Sequence, residues 1–350
     1  MPEPTHLDPA GLQLLAVADV ATCGRPRDQL AAYRARGLHR QGGGWVVARP
    51  DDVAAALVHP ALSVVPAAAG EGFAADLQRR MVRFCDQAEH APRRAALEAL
   101  LPAPAGLQAA AAHHTAAALA ASRGYEAGEV LDVMPLARRV PVMVLAAALG
   151  VDAADLDTIQ VLTGVLCDGL APRLVPPAAR PRVDAAASRL VRLLGAVGPW
   201  DGEQVDAAAA LLFQARDATA GLIGLALLRI DRDALDSPAV VVQQTLRREP
   251  PVQCTRRTAA RDLVLGGADI PAGASVWVLV AAAELGPPAT PATFGAGPHG
   301  CPGATHAVAL ASGVLAAVLA AGWRPVADQP VQYEPRPNLR VPCRVLVRQR

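Results

Sequence analysis

The sequence predicts a mainly α-helical single domain with a small β portion, spanning residues 1–350. Long alanine-rich segments carry apolar residues at helical spacing, whereas the runs with strand character are short. No Gly/Ser or charged linker and no internal repeat divides the chain. Apolar residues make up 52% of the 350, enough for one large core, although length alone is a soft prior for two domains.

In chain order, Gly43–Arg49 reads as a strand and Asp51–Val58 as the helix after it. Residues 60–75 mix Pro, Ala and Gly and read as a loop. Apolar periodicity then places helices over 76–101, 105–122, 136–149, 153–170, 180–196, 204–230 and 238–247. Residues 263–280 change character, with Val- and Leu-rich runs around Gly266-Gly267 that predict short strands joined by a glycine turn. A helix resumes after Cys301, where Pro302 suits a first helical turn. Residues 331–348 alternate apolar and polar and predict a last hairpin.

Charge and composition narrow the function classes. There are 33 basic and 32 acidic residues, a formal charge of +1, and no basic stripe for a polyanion. Aromatic residues are 3% of the chain, which leaves little for base stacking, so no nucleic-acid partner is expected. Cys23, Cys85, Cys167, Cys254, Cys301 and Cys343 lie far apart without CxxC pairs, which predicts a reducing compartment rather than a disulfide framework. Residues 1–30 carry Glu3, Asp8, Asp19 and several prolines, with neither a basic start before an apolar core nor a spanning run of about 20 residues. A cytoplasmic protein without a membrane tether is the expectation.

One segment carries chemistry: Phe294-Gly295-Ala-Gly297-Pro-His299-Gly300-Cys301-Pro302-Gly303. Four glycines surround a single cysteine placed directly before a predicted helix. Glycine permits positive φ and close backbone approach, as a tight loop against a flat cofactor requires. At a helix N-terminus the cysteine meets the positive end of the dipole and unpaired N–H groups, which lower its pKa from about 8.5 toward the thiolate. Pro302 has no N–H, so the amides of Gly303 and Ala304 are the better candidates to point at sulfur. Two other readings stand beside this one. A glycine-rich turn can hold a buried, inert cysteine, and His299, Cys301 and His306 could be zinc ligands, although a convincing fourth ligand is missing.

The segment resembles the haem-binding loop of the cytochromes P450, Phe-Gly-x-Gly-x-His-x-Cys-x-Gly, with every fixed position present. The resemblance covers roughly Gln41 to Val347 and includes Pro250-Pro-Val-Gln253 and Ile270-Pro-Ala-Gly273. It implies a cytochrome P450-like fold, haem b (iron protoporphyrin IX) and Cys301 as the axial iron ligand. Phe294, Gly295 and Gly303 would complete the loop around the cofactor. The resemblance also implies cationic or N–H partners for the haem propionates: the His-x-x-x-Arg pair His90 and Arg94, Arg257 of Arg257-Thr-Ala-Ala-Arg-Asp262, and His299.

Three departures from the family pattern bear on function. Where the family has Glu-x-x-Arg, this chain has Gln244-Thr-Leu-Arg247; Gln244 can accept from Arg247 without the strength of a carboxylate. The meander before the thiolate loop shrinks to Leu285–Thr293, which holds no arginine. In the predicted helix 204–230, Asp217 takes the place of the family's acid, and Ala218 falls where a threonine helps deliver protons to bound dioxygen. Thr219 points about 100° away around the helix and is no automatic substitute. Arg216 could pair with Asp217, or reach an acidic substrate group or the solvent.

The resemblance thus implies a haem-thiolate oxidoreductase, a P450-type monooxygenase of a small organic molecule in natural-product biosynthesis. Separate ferredoxin and ferredoxin reductase would donate the electrons, and Asp217 would relay protons, with Ala218 and Thr219 beside it. Two alternatives follow from the departures: haem-thiolate chemistry driven by peroxide or leading to rearrangement or bond formation, and a catalytically silent haem-binding scaffold. Substrate-pocket walls are expected from residues 60–82, 160–180, 211–219 and 252–256, mostly aliphatic with Phe213 as the aromatic of the helix.

Overall fold

The computed structural model describes residues 14–66, 70–121, 130–171, 177–230, 237–285 and 292–349. They are mainly helical with small sheets, as the apolar periodicity predicts. The chain divides into two compact units. The first comprises Met1–Val65, Leu246–Cys301 and Tyr333–Arg340, and the second Pro66–Thr245, Pro302–Gln332 and Val341–Arg350.

The first unit is built on a five-stranded sheet ordered His39–Gln41, Gly44–Val47, Ser275–Val278, Thr255–Ala259, Leu62–Val64. Gly44–Val47 runs parallel to Ser275–Val278, with Val46 opposite Trp277, and the other neighbours are antiparallel. Alternation decides which side chains enter the core. Val47, Val276, Val278 and Ala259 join Val53, Leu57, Leu62 and Ile270 in one apolar cluster. The Gly266-Gly267 turn between Leu263–Leu265 and Ala268–Ile270 has φ of +55° and +80°, the left-handed geometry that a two-residue hairpin needs. This confirms the glycine-turn hairpin. The loop expected over 60–75 contains the strand Leu62–Val64 and the start of the helix Phe73–Arg80, and residues 67–69 of it lie outside the described residues.

Charge holds this unit together in a place that the sequence does not advertise. Arg247 is exposed and has no hydrogen bond or ion pair among the described residues, so the expected bond to Gln244 is not what organises the region. Arg340 does so instead. It is 2% exposed, its Nε donates to Glu249 Oε1 (2.6 Å), and Nη1 donates to the carbonyls of Ala21 (2.8 Å) and Cys23 (2.9 Å). The Tyr333 ring lies under the guanidinium, 3.5 Å from Cζ to the centroid.

The second unit is a helical assembly around Gly202–Leu228. That helix begins with a capping box: Asp201 accepts from the Gln204 amide (2.8 Å) and Gln204 accepts from the Asp201 amide (3.0 Å). It packs on Gln87–Leu100, Met134–Ala148, Leu156–Gly169, Arg180–Gly195 and Ala304–Ala320. It and the stretch Gly297–Ala320 are long and apolar enough to cross a membrane, but 72% of the central helix's most apolar window is buried within the protein, as a core helix requires.

Two expectations are corrected in this unit. The helix over 76–101 is three pieces, Phe73–Arg80, the 3-10 turn Val82–Phe84 and Gln87–Leu100, because Met81 (ψ 134°) and Cys85 (ψ 156°) are extended. The hairpin over 331–348 does not form. Pro335, Pro337 and Pro342 remove ladder donors, and only Leu346–Gln349 becomes a strand, pairing with Trp323–Pro325 and Val130–Asp132.

Ala304–Ala320 and Leu107–Ala121 meet across Gly313. A Cβ built there would stand 2.2 Å from the Gln108 carbonyl oxygen and 2.9 Å from Ala111 Cβ. Alanine is worth about 1 kcal/mol over glycine in a helix interior, but a clash with backbone costs more. Gly313→Ala is therefore expected to destabilise the protein by about 2 kcal/mol net, read as a lower denaturant midpoint. Arg340→Met strands Glu249 and two carbonyls, and urea unfolding should register a loss of about 3 kcal/mol.

Candidate haem-thiolate site

The candidate residues fall into two groups, one in each unit. In the first unit, the loop before Cys301 is shaped by backbone. Gly295 (φ +72°) and Gly297 (φ +63°) adopt the left-handed region, and Gly297 abuts Val58, whose Cγ1 would be 3.0 Å from an added Cβ. Three N–H bonds fold the segment: Gly295 to the Ala292 carbonyl (2.8 Å), Gly300 to Gly297 (2.9 Å) and Cys301 to Phe294 (2.7 Å). A 3-10 turn over Gly297–His299 carries His299, half-buried. The result is an exposed Cys301 three residues ahead of the helix Ala304–Ala320, whose N-cap Gly303 supplies no side chain to the first-turn amides.

The other cysteines behave differently. Cys85, Cys167 and Cys254 are buried, and burial pushes the Cys85 thiol up, as it does that of half-buried Cys23. The inert-cysteine reading fits these residues and not Cys301. The zinc reading weakens in turn, because His306 is buried with Nε2 2.7 Å from the Pro102 carbonyl oxygen. Among the described residues no group of three His, Cys, Asp or Glu side chains is placed to hold a metal ion.

What holds the loop from behind is Glu284, a residue that the sequence did not single out. It is 2% exposed, and its Oε1 accepts from the backbone N–H groups of Ala292 (2.5 Å) and Thr293 (2.8 Å). Thr293 Oγ1 donates to the Leu246 carbonyl (3.2 Å). One signal was available: a lone carboxylate closing the apolar run Val276–Ala283 can be buried there only if hydrogen-bonded. Arg257 lies in mid-strand opposite Val64 and Val276 and is 5% exposed. Its neighbour Arg256 points to the other face and packs over Trp277, 5.7 Å from Cζ to the centroid.

In the second unit, His90 and Arg94 stand one turn apart on Gln87–Leu100. His90 is 9% exposed, and burial, reinforced by the Arg94 charge, depresses its pKa, so at neutral pH it offers an N–H without a charge. Arg94 Nε is 2.5 Å from Glu98 Oε1, on the next turn of the same helix.

On the central helix, Arg216 is paired rather than available to substrate. Nη1 is 2.7 Å from Asp217 Oδ1 and 3.2 Å from Asp168 Oδ1, and the guanidinium lies against Gly164. Burial alone would lower the Arg216 pKa, but Asp217, Cys167 and Asp168 outweigh it and hold the guanidinium above its usual range. Around Asp217, only Phe213, Gln214, Ala215 and Ala218 are less than fully buried. Ala218 thus sits on the open stripe, while Thr219 is 3% exposed and turned into the helix packing. A pocket of about 280 Å³ in this unit lies elsewhere, lined by Arg80, Met81, Leu97, Asp206, Ala207 and Ala210. Of the expected wall segments, only 60–82 contributes to it.

The donor set in the first unit fits a thiolate-ligated haem: an exposed soft ligand, a loop of bare backbone on which a flat macrocycle can lie, and a buried arginine on the neighbouring sheet. No family model matches the sequence. Protein TylM3 of Streptomyces fradiae is 30% identical over 233 residues, which are 58% of this chain and 54% of TylM3, so the match spans about half of that relative. Among solved structures, CalO2 superposes with a TM-score of 0.79 at 21% identity, covering 97% of this chain and 99% of that one. Epothilone B-bound cytochrome P450epoK superposes with a TM-score of 0.77 at 19% identity, covering 95% and 99%. Two units, a buried central helix and a glycine-built cysteine loop before a long helix are thus one known architecture, and the chain has the cytochrome P450 fold.

Proposed function

We propose that this chain is a haem-thiolate oxidoreductase with Cys301 as the axial ligand of haem b, acting on a small organic molecule of secondary metabolism. The observation that carries the reading is the Cys301 loop, whose positive-φ glycines and Cys301–Phe294 backbone bond present one exposed thiol just before a helix. When bound, the haem supplies the electron-transfer and oxygen chemistry that side chains lack. Cys301 would donate electron density through its thiolate, while Arg257 and His299 would neutralise or hydrogen-bond the propionates. His90 and Arg94 as further propionate partners, and Asp217 as proton relay, are roles carried by the resemblance. Residues 1–350 as one domain, separate ferredoxin and ferredoxin reductase as electron donors, and a cytoplasmic location belong to the same proposal.

A second reading is favoured by one specific observation. The stripe that includes Ala218 bears no hydroxyl, Thr219 faces the packing, and Asp217 is tied to a buried Arg216. A side chain that hands protons to bound dioxygen is therefore not supplied at the usual place. This favours peroxide-driven or other non-standard haem-thiolate chemistry, or a catalytically silent haem-binding scaffold, over ordinary monooxygenation. Turnover with reduced ferredoxin under oxygen, compared with hydrogen peroxide, separates them: efficient turnover by the reductant route alone sinks the second reading.

The ligand assignment has its own test. The reduced, carbon monoxide-bound protein should show the red-shifted Soret band of thiolate ligation, and Cys301→Ala should lose it while Cys85→Ala keeps it. A band unchanged in Cys301→Ala would refute the site. The buried pair is tested by stability: Arg216→Met leaves Asp217 with an uncompensated charge and should cost about 3 kcal/mol in urea unfolding, most of it recovered in Arg216→Met/Asp217→Asn.

A further inference from the structure

We infer that Glu284 is the positioning residue of the Cys301 loop, setting where the sulfur stands and so the thiolate character of the ligand. This rests on the haem-thiolate reading of the site. The short helix Val280–Ala283 ends at Glu284, and only residues 285–293 separate Glu284 from Phe294 in the sequence. In so short a link there is no arginine to organise the return, and the carboxylate does it instead. A single oxygen, Oε1, gathers two successive N–H groups, those of Ala292 and Thr293. Both amides lie directly before Phe294, whose carbonyl accepts from the Cys301 amide, and the Ala292 carbonyl accepts from Gly295.

Glu284 therefore anchors the stretch at the root of two of the three backbone bonds that fold the loop, Gly295 to Ala292 and Cys301 to Phe294. Two bonds to one carboxyl oxygen at 2% exposure resist displacement far better than water-exposed ones would. Thr293 Oγ1, bonded to the Leu246 carbonyl, gives Thr293 a second tether. Displacing 292–293 moves Phe294, and through its carbonyl the amide of Cys301. Oxygen geometry matters more than charge here: a glutamine carbonyl in the place of Oε1 can accept both N–H groups.

The test uses the full chain with Glu284→Ala, Glu284→Asp and Glu284→Gln. In haem-free protein, amide hydrogen exchange at Ala292 and Thr293 should speed up by about tenfold or more in Glu284→Ala. Alkylation of Cys301 by iodoacetamide, followed by peptide mass spectrometry, should change in rate while Cys343 does not. After haem loading, Glu284→Ala should shift carbon monoxide-bound protein from the red-shifted band to the band of protonated or displaced sulfur. Glu284→Gln should restore the wild-type fraction. Glu284→Asp, too short to reach both amides, should show the same shift in smaller measure and carries the test if Glu284→Ala does not fold. Wild-type exchange at both amides, or an undiminished red-shifted fraction in Glu284→Ala, would overturn the inference. A wild-type protein without the red-shifted band would instead remove the haem-thiolate reading, and exchange and alkylation would still decide whether Glu284 holds the loop.

Discussion

As the proposed haem ligand, Cys301 cannot be held by side chains packed over its sulfur, because those would occupy the cofactor's place. The Cys301 loop meets this constraint with backbone alone. The N–H of Cys301 closes onto the Phe294 carbonyl, and glycines with positive φ on either side of Ala296 let the chain turn without a Cβ in the way. Several neighbours in its unit flank or tether the loop. Val58 fills the space beside Gly297, Glu284 and Thr293 tether the approach, and the sheet carrying Arg257 stands behind a core of Val, Leu and Ile.

Charge is distributed in this molecule according to burial rather than motif. The family resemblance implies a carboxylate–arginine pair where this chain has Gln244 and Arg247, yet Arg247 is exposed here. Arg340 is a buried guanidinium of the first unit, joined to Glu249, two carbonyls and an aromatic face. In the second unit the buried guanidinium is Arg216, shared between Asp217 and Asp168. Both obey the rule that an ion leaves water only with partners in place. On the central helix Asp217 is thus half of a buried ion pair.

How much of this was legible in the sequence follows from the range of each interaction. The cysteine loop was legible because its demands are local: φ above zero calls for glycine, and an N-cap region calls for a residue such as Gly303. Helix positions were legible from apolar spacing, and the central helix, expected over 204–230, is observed over Gly202–Leu228 with its capping box at Asp201. The break at Met81 and Cys85 was not, because the segment around it keeps helical apolar spacing although both residues are extended in the structure. The terminal hairpin failed for a similar reason. Alternation marks a strand but does not name its partner, and Leu346–Gln349 found Val130–Asp132 across more than two hundred residues of chain.

The sequence by itself determined the ligand candidate, the helical class and the absence of a carboxylate at Gln244 and of a hydroxyl at Ala218, since each is a property of residue type or short spacing. Tertiary structure alone decided that Thr219 turns into the core, that Arg216 pairs with Asp217 and Asp168, that Arg340 is buried while Arg247 is exposed, and that Glu284 grips Ala292 and Thr293. Those are matters of which groups share a low-dielectric interior. Desolvation acts on whatever the fold brings together, however far apart it lies in the chain.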